Sequence, residues 1–144
     1  MIRALVDANI LISHLLKPTA DSPPNRIVRA AIAQDFEMVM IEATLAELHD
    51  SIRTKPYLNQ RITTKSAAHL ESWLRLVATI VPEALNHVPR LTRDPGDDYL
   101  LAHAVLLDIG YLVTGDQDLL VFDVFESVRI VNPATFAALL DEAG

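Results

Sequence analysis

Three aspartates stand where a predicted strand ends or a predicted buried helix begins. Asp7 and Asp116 each follow a short apolar run, and Asp98 lies in the first turn of an apolar helix predicted over residues 97–109. In an open parallel sheet, ligands collect beyond the carboxyl ends of the strands, where helix N-termini also point. We therefore expect these three carboxylates to share one crevice. An apolar setting makes a carboxylate costly unless it caps a helix, pairs with a cation or binds a metal ion.

The distribution of charge favours a metal ion. The net charge of −7 by itself argues against a nucleic-acid partner. However, residues 94–128 contain eight acidic residues and no Lys or Arg, whereas the rest of the chain is nearly neutral. Carboxylates without basic neighbours repel one another, and hard cations that prefer oxygen ligands offset this repulsion. We predict a Mg²⁺ or Mn²⁺ site, with a helix cap or an ordinary turn as the simpler interpretation of each acid.

The composition excludes other kinds of site. The 144-residue chain has no cysteine, which removes disulfides, thiolate ligands and Cys nucleophiles and suits a reducing cytoplasm. The five histidines lack the spacing of a zinc site, and His103 lies about 140° around its helix from Asp98, so we interpret it as a core or surface imidazole. The apolar runs are too short for a membrane span or signal peptide. We expect one cytoplasmic domain over residues 1–144.

Strand and helix patterns alternate along the chain. This alternation predicts a mostly parallel central sheet flanked by helices on both faces, which is a three-layer α/β domain. Gly110 is predicted to end the helix over 97–109, and residues 81–90 fit neither pattern. The predicted strands cover 2–6, 36–41, 111–114 and 128–131, and the predicted helices cover 10–16, 24–35, 45–54, 70–77 and 97–109, with a last one from 133.

Two short segments repeat one pattern. VDANIL (6–11) and GDQDLL (115–120) each carry an acid, a spacer, Asn or Asp, and two aliphatic residues, directly after a predicted strand. This predicts two similar acidic turns at the same end of the sheet.

Four acidic motifs together resemble those of PIN-domain nucleases. They are LVDANIL at Asp7, LAEL at Glu47, RDPGDDYLLAHAV at Asp98 and YLVTGDQDLL at Asp116, in the family's order and at similar spacing. The resemblance spans nearly the whole chain and extends to the toxin-type branch, the VapC-like proteins of toxin–antitoxin operons. It implies a parallel sheet, a Mg²⁺ or Mn²⁺ site, endoribonuclease activity on RNA and an antitoxin protein as partner.

The resemblance also assigns roles to individual residues. It implies that Asp7, Glu47, Asp98 and Asp116 form the catalytic, metal-binding acids, with Asn9 and Thr114 as polar support. Glu47 comes from the resemblance alone, because it lies off the apolar stripe of its helix and reads otherwise as a solvated side chain.

The sequence departs from the family at two positions. Asn9 follows Ala8 where the family commonly has Thr, and Gly96 stands where many relatives add an Asp. The first departure removes a hydroxyl near Asp7, and the second leaves open whether Asp94 or Asp97 is an accessory ligand. Whether Asp118 is one also stays open.

We expect hydrolysis by a metal-activated water that attacks the scissile phosphate in line, with no side-chain nucleophile. Basic residues within thirteen positions are candidate contacts to the RNA backbone, although a solvated helix face is the simpler interpretation. We also expect the chain to form a homodimer. The candidate RNA contacts are Arg53, Lys55, Arg61 and Lys65.

Two other function classes stay open at this point. The first is a PIN-fold binding protein with an idle site, acting through self-association or antitoxin pairing, with the helix that carries Trp73 as interface. The second is a phosphoryl-transfer domain with Asp7 as phosphoacceptor. The second is disfavoured, because Asn9 replaces the second acid of such sites and the last lysine is Lys65.

Overall fold

The protein folds around a six-stranded sheet in which five strands run parallel. The structure, a computed structural model, describes residues 1–85 and 87–143. The strands are β1 (Arg3–Val6), β2 (Glu37–Ile41), β3 (Thr79–Val81), β4 (Tyr111–Val113), β5 (Val124–Phe125) and β6 (Val128–Val131). Their order across the sheet is β3-β2-β1-β4-β6-β5, and β5 runs antiparallel to β6.

Helices follow most of the strands. In the part of the chain that the structure describes, no helix combines the length and the apolar character needed to cross a bilayer. The helices are α1 (Ala8–Leu16), α2 (Pro23–Ile32), α3 (Glu42–Thr54), α4 (Pro56–Arg61), α5 (Thr64–Val77), α6 (Pro95–Leu106), α7 (Gln117–Leu120) and α8 (Pro133–Ala143).

The helices cover both faces of the sheet. Along β1, Ala4 and Val6 belong to one apolar core together with residues of α1, α2, α3, α5 and α8, whereas Leu5 belongs to a second core beneath α6 and α7. Successive side chains of a strand point to opposite faces, so the strands β1, β2, β4 and β6 each contribute to both cores. The predicted three-layer α/β fold is confirmed.

The C-terminus of α6 differs from the prediction. The helix ends at Leu106, and Asp108 has a φ of 54°, while no glycine in the described residues has a positive φ. The N–H of Ile109 donates to the carbonyl of Ala104 (2.9 Å) and that of Asp108 to the carbonyl of Val105 (3.1 Å). This is the Schellman pattern, with an aspartate in the left-handed position. The prediction that Gly110 ends this helix is therefore wrong.

The sheet brings the two predicted acidic turns, at Asp7 and Asp116, together. β1 and β4 are neighbours, with Val6 in register with Val113. The N–H of Asp7 continues this pairing by donating to the carbonyl of Val113 at 3.0 Å. Asp7 and Thr114 therefore leave the sheet side by side, at the carboxyl ends of adjacent parallel strands.

Candidate active site

Three aspartates occupy equivalent positions at the N-termini of helices. Asp7 caps α1, Asp94 caps α6 and Asp116 caps α7, and each accepts a hydrogen bond from the backbone N–H two residues later. The two similar turns predicted at Asp7 and Asp116 are confirmed. Each carboxylate also lies at the positive end of a helix dipole, which favours its charged form. The three donors are Asn9 (3.3 Å), Gly96 (2.8 Å) and Asp118 (2.9 Å).

Thr114 connects two of these caps. Its side chain is buried, and its Oγ1 donates a 2.8 Å hydrogen bond to Oδ2 of Asp7. The same Oγ1 accepts the N–H of Asp116 at 3.1 Å. A single hydroxyl therefore fixes the separation between the ends of β1 and β4.

The cluster that geometry selects is Asp94, Asp97 and Asp116. One carboxylate oxygen from each lies within 4.8 Å of the others. Asp97 is only 6% exposed, and its Oδ2 is buried without a hydrogen-bond partner among the described residues. A buried, unpartnered oxygen beside two further carboxylates lacks the compensation that such groups normally have. A divalent cation with oxygen ligands would supply it, so the donor set fits Mg²⁺ or Mn²⁺.

The electrostatics of the site agree with this geometry. Burial, the adjacent carboxyl of Asp116 and the charges of Asp94 and Asp7 raise the pKa of Asp97 to about 8. Burial also raises the pKa of Asp7, against the opposing effect of the Thr114 hydroxyl. Carboxylates this close resist ionising together unless a cation joins them.

Asp98, the predicted member of the cluster, points elsewhere. It is 1% exposed, and its Oδ1 accepts the N–H groups of Leu91 (3.0 Å) and Thr92 (2.7 Å). Its Oδ2 lies 3.4 Å from Nε of Arg90. Burial opposes ionisation of Asp98, but the hydrogen bonds from the Leu91–Thr92 segment and the Arg90 charge outweigh it and lower its pKa.

The structure therefore brings Asp97 to Asp94 and Asp116 and leaves the predicted Asp98 outside this cluster. Consecutive residues of an α-helix point about 100° apart, so only one of the two can face Asp94 and Asp116. The sequence motif does not indicate which one does. The signal that would have identified Asp97 is the N-cap: with Asp94 as cap, Asp97 stands at the third helical position, above the cap residue.

Glu47 borders the cluster without joining it. It lines a cleft of about 240 Å³ between α3 and the start of α6, together with Thr44, Gly96 and Tyr99. Desolvation, followed by the charges of Asp7 and Asp94, raises the pKa of Glu47, while Lys55 lowers it. Glu47 thus lies within electrostatic reach of Asp7 and Asp94.

The other candidate acid and the polar support take different roles. Asp118 binds the guanidinium of Arg93 through both oxygens, at 2.8 and 3.3 Å. Arg93 directly precedes the acidic segment 94–128, so it supplies a counter-charge that a count over that segment omits. Asn9 donates its backbone N–H to Oδ1 of Asp7, and the side chain of Asn9 is exposed.

Gly96 has a local reason for being small. Its N–H donates to Oδ1 of Asp94, and a β-carbon at this position would lie 3.2 Å from that oxygen. A side chain at position 96 would press on the cap of α6.

His103 belongs to the core. It is fully buried, its Nε2 accepts the N–H of Ala84 at 3.3 Å, and its Nδ1 lies 3.0 Å from the carbonyl of Tyr99. Both ring nitrogens are used in this way, which agrees with the interpretation of His103 as a structural imidazole.

The four basic candidates are all exposed, and different partners hold them. Arg53 pairs with Asp50 at 2.5 Å, and the Arg61 guanidinium lies 4.0 Å above the Tyr57 ring. The charge of Lys55 reaches Glu47. The side chain of Lys65 instead lines an apolar groove of about 540 Å³ beside Trp73 on α5.

Comparison with known proteins gives a consistent result. Residues 3–118 match the family model for the PIN domain. No curated protein sequence matches the chain. Similar solved structures include PAE2754 from Pyrobaculum aerophilum, with a TM-score of 0.67 at 18% identity, covering 98% of this chain and 90% of the other.

Two further structures share the fold. VapBC2 from Rickettsia felis, bound to a DNA fragment from its promoter, has a TM-score of 0.62 at 17% identity over 91% of this chain and 98% of the other. VapC20 from Mycobacterium tuberculosis, a sarcin-ricin loop cleaving toxin, has a TM-score of 0.59 at 15% identity over 88% and 98%.

Proposed function

The chain belongs to the PIN-domain family, and we propose that it is a Mg²⁺- or Mn²⁺-dependent endoribonuclease, the toxin of a toxin–antitoxin pair. One observation carries this proposal. The buried Oδ2 of Asp97 has no hydrogen-bond partner in the described chain and lies beside the carboxylates of Asp94 and Asp116. Such a site is unfavourable without a cation and suited to one.

The ligand set we propose is Asp94, Asp97 and Asp116, with Asp7 and Glu47 within electrostatic reach of them. When bound, the ion supplies Lewis-acid chemistry: it activates water for attack on a phosphodiester and stabilises the charge that develops on phosphate oxygens. Asp98 is left out of this set, because both of its oxygens face residues 90–92.

The chain's own groups organise the site for this task. Thr114 holds Asp7 and the Asp116 backbone at a fixed separation, and the caps at Asp94 and Asp116 fix two carboxylates on helix ends. Asp97 must release its proton before it can act as a ligand, because its pKa lies near 8. Ligands on rigid elements reduce the reorganisation needed at the reacting phosphate.

Substrate and partner are proposed from the relatives and the surface together. VapC20 is described as a sarcin-ricin loop cleaving toxin, and VapBC2 as a complex on promoter DNA. We propose RNA as substrate, with Lys55, whose charge reaches Glu47, as a candidate contact to it, and an antitoxin protein as partner. We place this activity in the cytoplasm, since a chain without cysteine suits a reducing compartment.

We further propose that the protein forms a homodimer through α5. On this helix Trp73 is 44% exposed and Leu76 is 78% exposed. Large apolar side chains on one helix surface are typical of protein interfaces.

Cleavage of defined RNAs, including a sarcin-ricin stem-loop, tests the proposed function. The purified protein is incubated with Mn²⁺, with and without chelator, beside Asp7→Asn and a control variant, Asp21→Asn, at an exposed aspartate that pairs with Arg29. We expect cleavage by the wild type and by Asp21→Asn, and none with chelator or Asp7→Asn. Wild-type cleavage by Asp7→Asn would refute the assignment. Absence of Mn²⁺ binding in calorimetry would favour the idle binding protein instead.

A further inference from the structure

We infer that Asp98 is a positioning residue, which anchors the segment 90–94 so that Asp94 and Arg93 reach the acidic cluster. This inference rests on the proposed function, since it concerns how that site is assembled. It assigns Asp98 a role other than the ligand role that the sequence motif implies.

The anchor itself consists of three contacts to a buried carboxylate. Oδ1 accepts two backbone N–H groups, from Leu91 at 3.0 Å and from Thr92 at 2.7 Å. Oδ2 faces the guanidinium of Arg90 at 3.4 Å. The two hydrogen bonds to Oδ1 involve an ionised carboxylate and are about twice as strong as neutral ones. Oδ2 makes no hydrogen bond among the described residues and meets only the charge of the exposed Arg90. All three partners belong to the segment that precedes α6.

The anchored segment leads directly to the ligands. Oγ1 of Thr92 donates to the carbonyl of Asp94 at 2.9 Å, and the same Oγ1 accepts the N–H of Asp94 at 3.2 Å. The next contact is the cap of α6, where Oδ1 of Asp94 accepts the N–H of Gly96. Asp98 thus holds Thr92, Thr92 contacts Asp94, and Asp94 caps α6.

The same segment carries a second connection to the site. Arg93, between Thr92 and Asp94, binds Asp118, whose own N–H donates to Oδ1 of Asp116. The segment 90–94 thus connects the Asp94 side of the cluster to the Asp116 side. Residues 82–85 and 87–94 contain no helix or strand, so the contacts of Asp98 to residues 90–92 help to hold this segment in place.

Substitutions at Asp98 and Asp97 separate anchor from ligand. An asparagine at position 98 keeps an Oδ1 that can accept both N–H groups, whereas an alanine removes the acceptor. We measure Mn²⁺ affinity by calorimetry for Asp98→Asn, Asp98→Ala and Asp97→Asn, with thermal unfolding to verify folding. We expect Asp98→Asn to bind within about 3-fold of wild type, Asp98→Ala about 10-fold or more weakly, and Asp97→Asn more than about 100-fold more weakly.

A matched control distinguishes positioning from general stability. Asn25 is also fully buried and holds a loop, by donating to the carbonyls of Lys17 and Ala20 at 2.6 and 2.7 Å. Asn25→Ala should lower the melting temperature and leave Mn²⁺ affinity within about 2-fold, because the loop that Asn25 holds carries none of the proposed metal ligands. Thr92→Val, which keeps Asp98 but removes the hydroxyl that binds Asp94, should weaken Mn²⁺ binding.

Amide hydrogen exchange tests the anchor without any metal. The N–H groups of Leu91 and Thr92 should be protected in the wild type and in Asp98→Asn, and should exchange faster in Asp98→Ala or, if that variant does not fold, in Asp98→Glu. Loss of Mn²⁺ binding in Asp98→Asn equal to that in Asp97→Asn would overturn the inference, as would wild-type exchange rates and affinity in Asp98→Ala. A wild-type protein that binds no Mn²⁺ would refute the proposed function, while hydrogen exchange would still decide whether Asp98 anchors the segment.

Discussion

Thr114 Oγ1 donates a 2.8 Å hydrogen bond to Oδ2 of Asp7, although the two residues are 107 positions apart in the sequence. The same oxygen accepts the N–H of Asp116. The bond lowers the pKa of Asp7 in opposition to burial. It therefore joins the two strand-end turns and favours the charged form of one of the acids.

Replacing Thr114 by valine should affect both properties. Valine has a similar shape but no hydroxyl, so the pKa of Asp7 should rise further and stability should fall by about 1–2 kcal/mol. Mn²⁺ binding at pH 7 should weaken and recover as the pH is raised. Urea unfolding and calorimetry measure the two effects, and Thr114→Ser is the control that keeps the hydroxyl. Equal behaviour of the Val and Ser variants would show that the hydroxyl is dispensable.

Metal binding should depend strongly on pH. The pKa of Asp97 lies near 8 without metal, and a ligand carboxylate must be deprotonated. Mn²⁺ affinity should therefore increase from pH 6 to about pH 8 and then level off, with protons released on binding. Calorimetry in buffers of different ionisation enthalpy measures the number of protons released. A pH-independent affinity with no proton release would contradict the raised pKa.

The stability of the metal-free protein should fall as the pH rises. The folded-state pKa of Asp97 is raised from 3.8 to about 8, so between these values the folded state binds more protons than the unfolded state. By linkage, the free energy of unfolding then decreases with increasing pH across this window. Asp97→Asn should flatten this dependence and be more stable than wild type at pH 8, by about 1–3 kcal/mol. Chemical unfolding at a series of pH values in the presence of chelator tests the sign, and a wild type that gains stability from pH 5 to pH 8 would contradict it.

RNA binding should distinguish two exposed lysines. Lys55 lies close enough to Glu47 to lower its pKa, whereas Lys65 lines the apolar groove beside Trp73. Lys55→Ala should reduce the salt dependence of RNA binding by about one phosphate contact, and Lys65→Ala should change it little. Binding is measured by titration of a labelled RNA in chelator at several salt concentrations. A larger effect from Lys65 than from Lys55 would indicate that the RNA binds at the groove beside Trp73 instead.

Much of the fold could be predicted from the sequence, because buried parallel strands and the helices between them leave strong apolar patterns. The edges could not. β3 and β5 contain three and two residues, and their outer sides are incompletely buried. Such short segments carry too little periodicity to identify. The short helices α4 and α7 could not be predicted for the same reason.

The site was predictable at the strand ends and less so on α6. Asp7 and Asp116 follow buried strands, and adjacent strands place them together. Asp97 and Asp98 are neighbours in sequence, and their roles depend on the rotation of α6, which the cap at Asp94 and the contacts of the 90–92 segment determine. Glu47 gives no signal by itself, because its closeness to Asp7 and Asp94 depends on how α3 packs.

A crystal of the protein soaked in Mn²⁺, with anomalous diffraction data, tests the central claim most directly. We predict an anomalous peak about 2.0–2.4 Å from carboxylate oxygens of Asp97 and Asp116, with Asp94 adjoining, and none in Asp97→Asn crystals treated identically. A peak coordinated by Asp98, or a wild-type cluster without a peak at saturating Mn²⁺, would contradict this account.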